Sequence, residues 1–118
     1  MIRNTKEMKK DKREEMRGGR GAVTITHLFT KDELKSNTRL CAKLTIPPGA
    51  SIGFHNHEDE EEIFYILSGR GKVDDDGRIC EVCPGDAILT GNGAGHSIEC
   101  ISEEPLEVMA VIGCYNNT

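Results

Sequence analysis

The sequence predicts an all-β chain, a sandwich or barrel of short strands behind a charged leader, on three observations. Runs rich in Val, Ile, Leu, Phe and Thr begin at Ala22 and recur at roughly the 8–12-residue spacing of such folds. Pro-Gly at 48–49 and 84–85 and Asp-Gly at 76–77 punctuate them as turns. Apolar and polar residues alternate with period two in "RLCAKLTI", as in a strand with one wet face.

The elements follow in order. Residues 1–17 hold seven Lys or Arg and four Asp or Glu but few core-forming side chains. Residues 1–21 are therefore expected to be a helical or disordered segment, broken by "RGGRG", and 22–118 the folded domain. In "AVTITHLF", His27 is in step with Val23, Ile25 and Phe29, which predicts a buried or interface histidine. In "RLCAKLTI" the dry face is Leu40, Ala42, Leu44 and Ile46. "SIGFHNH" follows the Pro-Gly turn, with Gly53 a bulge or an opening beside the site and Phe54 turned outward. "EIFYILS" is apolar at both parities, so burial on both faces is expected, the second against an opposing sheet or a subunit partner. Phe64 and Ile66 belong to the core by parity. "DDDG" lacks the closing Glu of a calcium loop and reads as the hairpin turn between "GKV" and "RICEV". "AILT", "HSIECI" and "LEVMAVIG" complete the strands.

Composition excludes several classes. A chain of 118 residues buries one core, which leaves no second catalytic domain. Net charge is −5 and residues 1–17 carry +3, so the body is strongly acidic and nucleic acid is not an expected partner. No run approaches the roughly 20 apolar residues of a membrane span, and the start lacks an apolar signal core. A cytoplasmic protein with no membrane partner is expected. Five cysteines, an odd count, agree with reduced thiols. Cys80 and Cys83 form a CxxC without a second pair, and on a strand they face opposite sides, so no zinc or redox role is assigned to them.

The chemistry concentrates in "GASIGFHNHEDEEEIFYILSG", residues 49–69. If 51–57 is extended, His55 and His57 project from one face, about 7 Å apart, close enough for two imidazoles to meet on one ion. Five acidic residues follow, and their mutual repulsion keeps most of them solvated. Glu62 has the parity of Phe64 and Ile66, toward a barrel interior.

These residues resemble the cupin superfamily. Its first motif, G-x5-H-x-H-x(3,4)-E-x6-G, reads here as Gly49, His55, His57, Glu62 and Gly69. Its second, G-x5-P-x-G-x2-H-x3-N, is matched at Gly85, Gly93 and His96, with Gly91 at the Pro position and Cys100 at the Asn position. The resemblance, over about residues 40–112, implies a double-stranded β-helix, or jelly-roll, barrel. It also implies that Glu62, rather than Glu60 or Glu61, joins His55, His57 and His96 as a metal ligand. Three imidazoles and one carboxylate suit a divalent transition metal, Mn, Fe, Co, Ni, Cu or Zn, and not calcium.

The family hosts decarboxylases, dioxygenases, isomerases, storage proteins and sensing domains, so fold alone does not fix function. The full ligand set favours a small metalloenzyme acting on a compact oxygen-rich metabolite, resembling the oxalate-decarboxylase-like and mannose-6-phosphate-isomerase-like groups. The alternative is a non-catalytic metal-dependent binding or sensing module. A small-molecule ligand is the expected partner in either case. Glu58, Asp59, Glu60 and Glu61 are candidate proton carriers, and Arg39, Arg70 and Arg78 candidate carboxylate clamps, with no catalytic residue assigned. A homodimer is expected to cover the doubly apolar run, with residues 22–29 pairing onto the neighbour's sheet.

Overall fold

Alternation decides which faces meet. In this computed structural model, which describes residues 1–115, the strands are β1 (Lys9–Glu14), β2 (Ala22–His27), β3 (Thr38–Ile46), β4 (Ser51–Asn56), β5 (Glu60–Ser68), β6 (Gly71–Asp75), β7 (Arg78–Val82), β8 (Ala87–Gly91), β9 (Gly95–Cys100) and β10 (Leu106–Cys114). The last three residues of the expected 22–118 domain lie outside the described residues. One sheet runs β1-β2-β3-β10-β5-β8 and the other β4-β9-β6-β7, every pairing antiparallel. No helix among the described residues is long and apolar enough to cross a membrane.

The dry face of β3 meets that of β10 residue for residue: Ile46 opposite Leu106, Leu44 opposite Val108, Ala42 opposite Ala110, Leu40 opposite Ile112. Phe64 of β5 lies opposite Ala110, so two alanines leave room for one large ring, while Glu62 lies opposite Ile112. Ile52, Val73, Val82 and Ile98 of the other sheet close the core. Each such side chain contributes about 1.5–3 kcal/mol by leaving water. At the β6–β7 hairpin Asp76 and Gly77 both have positive φ, 51° and 98°, as the Asp-Gly turn requires.

Three expectations are corrected. β5 is not buried on both faces: Ile63, Tyr65 and Leu67 are 44%, 47% and 44% exposed. They form a stripe on the outer side of the six-stranded sheet, where Ile63 pairs with Leu89. Residues 1–21 are neither helical nor disordered. Lys9–Glu14 pairs through six positions with β2, and short 3-10 turns occupy Thr5–Glu7 and Met16–Gly18. Its side chains are charged on both faces and give no apolar period. The strand forms because the edge of β2 offers a row of backbone groups that need partners. With β1 on one side and β3 on the other, β2 has no edge left for a neighbouring subunit.

The leader is also locked onto β4. A Cβ at Gly53 would lie 2.1 Å from the Arg17 carbonyl oxygen, and one at Gly19 2.1 Å from that of Ser51. Ser51 N–H donates to the Arg20 carbonyl and Arg20 N–H to Ser51 Oγ. Gly53→Ala should therefore displace the 16–19 turn at a cost of about 1–3 kcal/mol. It should lower the melting temperature and speed amide exchange across residues 9–19. Unchanged exchange there would refute the seating.

Candidate metal centre

A bulge aims the first ligand. Strict alternation would put Ile52 and His55 on opposite faces, yet Ile52 is core and His55 faces the other two histidines. Between them the β4–β9 register slips by one residue, from Ile52 opposite Ile98 to His55 opposite His96. Gly53 sits in that slip, in agreement with the bulge reading. His57 follows β4 and donates its N–H to the Ala94 carbonyl, Glu62 is the third residue of β5, and His96 the second of β9.

The three imidazole centroids are 4.8 Å from one another. Each ring is fixed through Nδ1: His55 to the Gly53 carbonyl at 2.8 Å, His57 to Glu60 Oε2 at 2.5 Å, His96 to Thr90 Oγ1 at 2.9 Å. A carbonyl and a carboxylate only accept, so His55 and His57 donate from Nδ1 and hold lone pairs on Nε2. Glu62 Oε1 lies 2.9 Å from His57 Nε2 and 3.0 Å from His96 Nε2, and those two nitrogens are 3.0 Å apart. His57, Glu62 and His96 are buried, and Phe64 stacks on His96 at 4.7 Å. One donor atom from each of the four residues lies within 4.8 Å of the others, so the cluster can hold a metal ion.

A family model described as a cupin domain matches residues 42–112. The chain belongs to the cupin family. It is 40% identical over 112 residues to a Thermotoga maritima protein named oxalate-binding protein, covering 95% of this chain and 93% of that one. A solved structure from Thermotoga maritima, described as a predicted oxalate decarboxylase, superposes with a TM-score of 0.92 at 39% identity, covering 97% of this chain and 99% of that one. The cupin domain of Schizosaccharomyces pombe Cnp3 shares the fold, with a TM-score of 0.72 at 14% identity, covering 88% of this cupin and 68% of that chain.

The donor set of this cupin fits a transition-metal ion. Two donors about 2.1 Å from an ion stand about 3.0 Å apart at a right angle and about 3.4 Å apart at the tetrahedral angle. The separations of 2.9, 3.0 and 3.0 Å match the first. Lone pairs of buried acceptors this close repel unless a proton or cation lies among them. The clustered groups also shift the protonation of His55, His57 and Glu62. The hydrogen bond to Glu62 raises the His57 pKa against burial, and Glu60 adds to it. Burial pushes the Glu62 carboxyl up, but His57 and His96 outweigh it and hold it below its ordinary value. Burial lowers His55, and the charges of His96, His57 and Arg17 act in the same direction against the Gly53 hydrogen bond.

The remaining candidates separate cleanly. Arg39 does not clamp a ligand, because its Nε and Nη2 donate to both Glu60 oxygens at 2.7 and 2.8 Å. Glu60 in turn orients His57, a role that the run of acids hid, although three-residue spacing from His57 was its signal. Glu58 and Asp59 are exposed, Glu61 accepts from Tyr115, and Arg70 pairs with Glu81 on the surface. Arg78 and Cys83 are exposed, and Cys100 is core. Thr90 carried no sequence signal at all.

A cavity of about 570 Å³ opens onto the cluster, lined by His55, His57, Glu62 and Phe64. His27 lines it too, half-buried rather than core, with Nε2 2.9 Å from Asp11 Oδ2. The pairing is invisible in the sequence because Asp11 belongs to the segment expected to be helical or disordered, which instead forms β1.

Glu60→Gln should weaken uptake of Mn or Zn about 10–100-fold, read by competition titration. Its pKa is lowered by Arg39 first, then His57, from an ordinary 4.5 to about 2. Its stabilisation is thus complete above 4.5 and lost as pH falls toward about 2. Acid unfolding should flatten over that window in the variant, and unchanged metal affinity would remove Glu60 from the site.

Proposed function

We propose that this cupin holds one divalent transition-metal ion on His55, His57, Glu62 and His96 and acts as a small metalloenzyme on a compact carboxylate-bearing metabolite. The observation that carries the metal reading is that His55, His57 and His96 each have Nδ1 engaged behind the ring, leaving three Nε2 atoms and one carboxylate oxygen to converge. A bound ion there supplies positive charge that polarises a ligand carboxylate or carbonyl. The mixed nitrogen and oxygen shell suits Mn, Fe, Co, Ni, Cu or Zn. The name of the Thermotoga maritima relative, an oxalate-binding protein, supports a small carboxylate.

His27 supports catalysis over binding alone. The Asp11 carboxylate accepts from His27 Nε2, which leaves Nδ1 with a lone pair to take a proton and holds the ring in place on the cavity wall. Such a group suits isomerisation, in which it takes a proton from one carbon and returns it to the next, and decarboxylation, in which a proton it first takes from solvent goes to the carbon that loses carbon dioxide. The relative's name favours the second reading, a binding module without turnover.

Metal analysis of protein made with Mn, Fe or Zn should find stoichiometric ion, lost in His55→Ala and His96→Ala; unchanged content in both would end the metal reading. Oxalate, a 2,4-diketone acid and sugar phosphates should be screened on the loaded protein for turnover and thermal shift. His27→Gln should cut turnover about 100-fold or more while keeping the shift. Thermal shift without turnover in the unaltered protein selects the binding module.

We also propose a homodimer closed over the outer face of the six-stranded sheet, and a reducing, cytoplasmic setting that agrees with five free thiols. Ile63, Tyr65, Leu67 and Leu89 are the apolar stripe to be covered. Sedimentation should give a dimer at micromolar concentration and a monomer for Leu89→Glu. A monomeric unaltered chain would refute it.

A further inference from the structure

We infer that residues 9–19 form a wall of the metal pocket and that Arg13 and Arg17 bind the outer, anionic end of its ligand. This rests on the metal-bound carboxylate reading above and adds what selects the ligand's charge. Arg13 lies directly opposite Val23, a fully buried residue, and directly opposite side chains project to the same face of a sheet. Arg13 thus leaves β1 toward the barrel side. Lys12, opposite Thr24, leaves toward the other and does not line the cavity.

Arg17 is delivered differently. Its φ of 55° and that of Glu15, 48°, lie in the left-handed region, which costs energy in any residue but glycine. The chain is held there by the close approach of the Arg17 carbonyl to Gly53, two residues before His55. Arg13 and Arg17 both line the cavity that His55, His57 and Glu62 line.

Both guanidiniums are also uncommitted. Arg3, Arg20, Arg39 and Arg70 each form an ion pair with a glutamate. Among the described residues, Arg13 and Arg17 have no carboxylate within ion-pair distance. The charged lining consists of Arg13, Arg17 and Arg39 against Glu14, Glu15 and Glu62, which balance without an ion. A divalent ion makes that wall cationic, with Arg39 already satisfied by Glu60. A carboxylate facing the ion at one end would meet the two free forks at the other, and guanidinium binds carboxylate in a planar two-point fit.

The test uses the full chain loaded with Mn or Zn, its metal content measured first, and oxalate and its uncharged diamide, oxamide, as calorimetric probes. Arg13→Gln and Arg17→Gln should keep stoichiometric metal, weaken oxalate about tenfold or more each, and leave oxamide unchanged. Arg17→Lys should recover part of the loss, and Lys12→Gln, on the opposite face of β1, should behave as the unaltered chain. If Arg17→Gln fails to fold, Arg13→Gln alone decides. Oxalate affinity within twofold of the unaltered chain in metal-replete Gln variants overturns the clamp and leaves the metal site standing. No oxalate binding by the loaded, unaltered chain also overturns the clamp. Failure of the unaltered chain to take up metal overturns the site and the clamp together.

Discussion

The crowding of electron pairs at Glu62 Oε1 is the constraint around which the rest is arranged. Two imidazole nitrogens stand 2.9 and 3.0 Å from that oxygen and 3.0 Å from each other, in a buried corner. Such an arrangement is stable only with positive charge among the atoms, a shared proton or a metal ion. Everything behind the cluster keeps it from relaxing. Gly53, Glu60 and Thr90 hold the three rings from the rear, and Arg39 holds Glu60.

The barrel is packed at one end and chemically equipped at the other. Along the β3–β10–β5 rows the interior passes from Ile46 and Leu106, through Ala42, Ala110 and Phe64, to Leu40, Ile112 and Glu62. The ring of Phe64 joins the two halves, core on one side and stacked on His96 on the other. Hydrocarbon packing of this kind keeps water from the rear of the cluster, so its charges act in a less screened environment than they would at a surface.

The leader gives a strongly charged segment a structural reason. As an edge strand, Lys9–Glu14 covers the backbone of β2, and its dense charge discourages further pairing. The same strand and the turn after it bring Asp11 to His27 and carry Arg13 and Arg17 to the cavity. This wall lies outside residues 42–112, the span of the family model, so the shared barrel supplies the donor cluster while a flanking segment shapes what reaches it.

Much was legible in the sequence alone. Period-two alternation gave the dry face of β3, Asp-Gly gave its hairpin, and the motif spacing gave the four residues that the fold brings together. These are local signals, because a strand's faces and a turn's φ angles depend on neighbours a few residues away. The bulge that turns His55 inward, the Thr90 and Arg39 contacts, the open face of β5 and the strand in the leader were decided by tertiary structure. Each depends on a partner that no short window contains: β9 lies some forty residues beyond β4, and β1 gains its order only from the edge it meets. A charged hexapeptide has no apolar period to declare itself a strand, and it becomes one because backbone groups across the gap need hydrogen bonds.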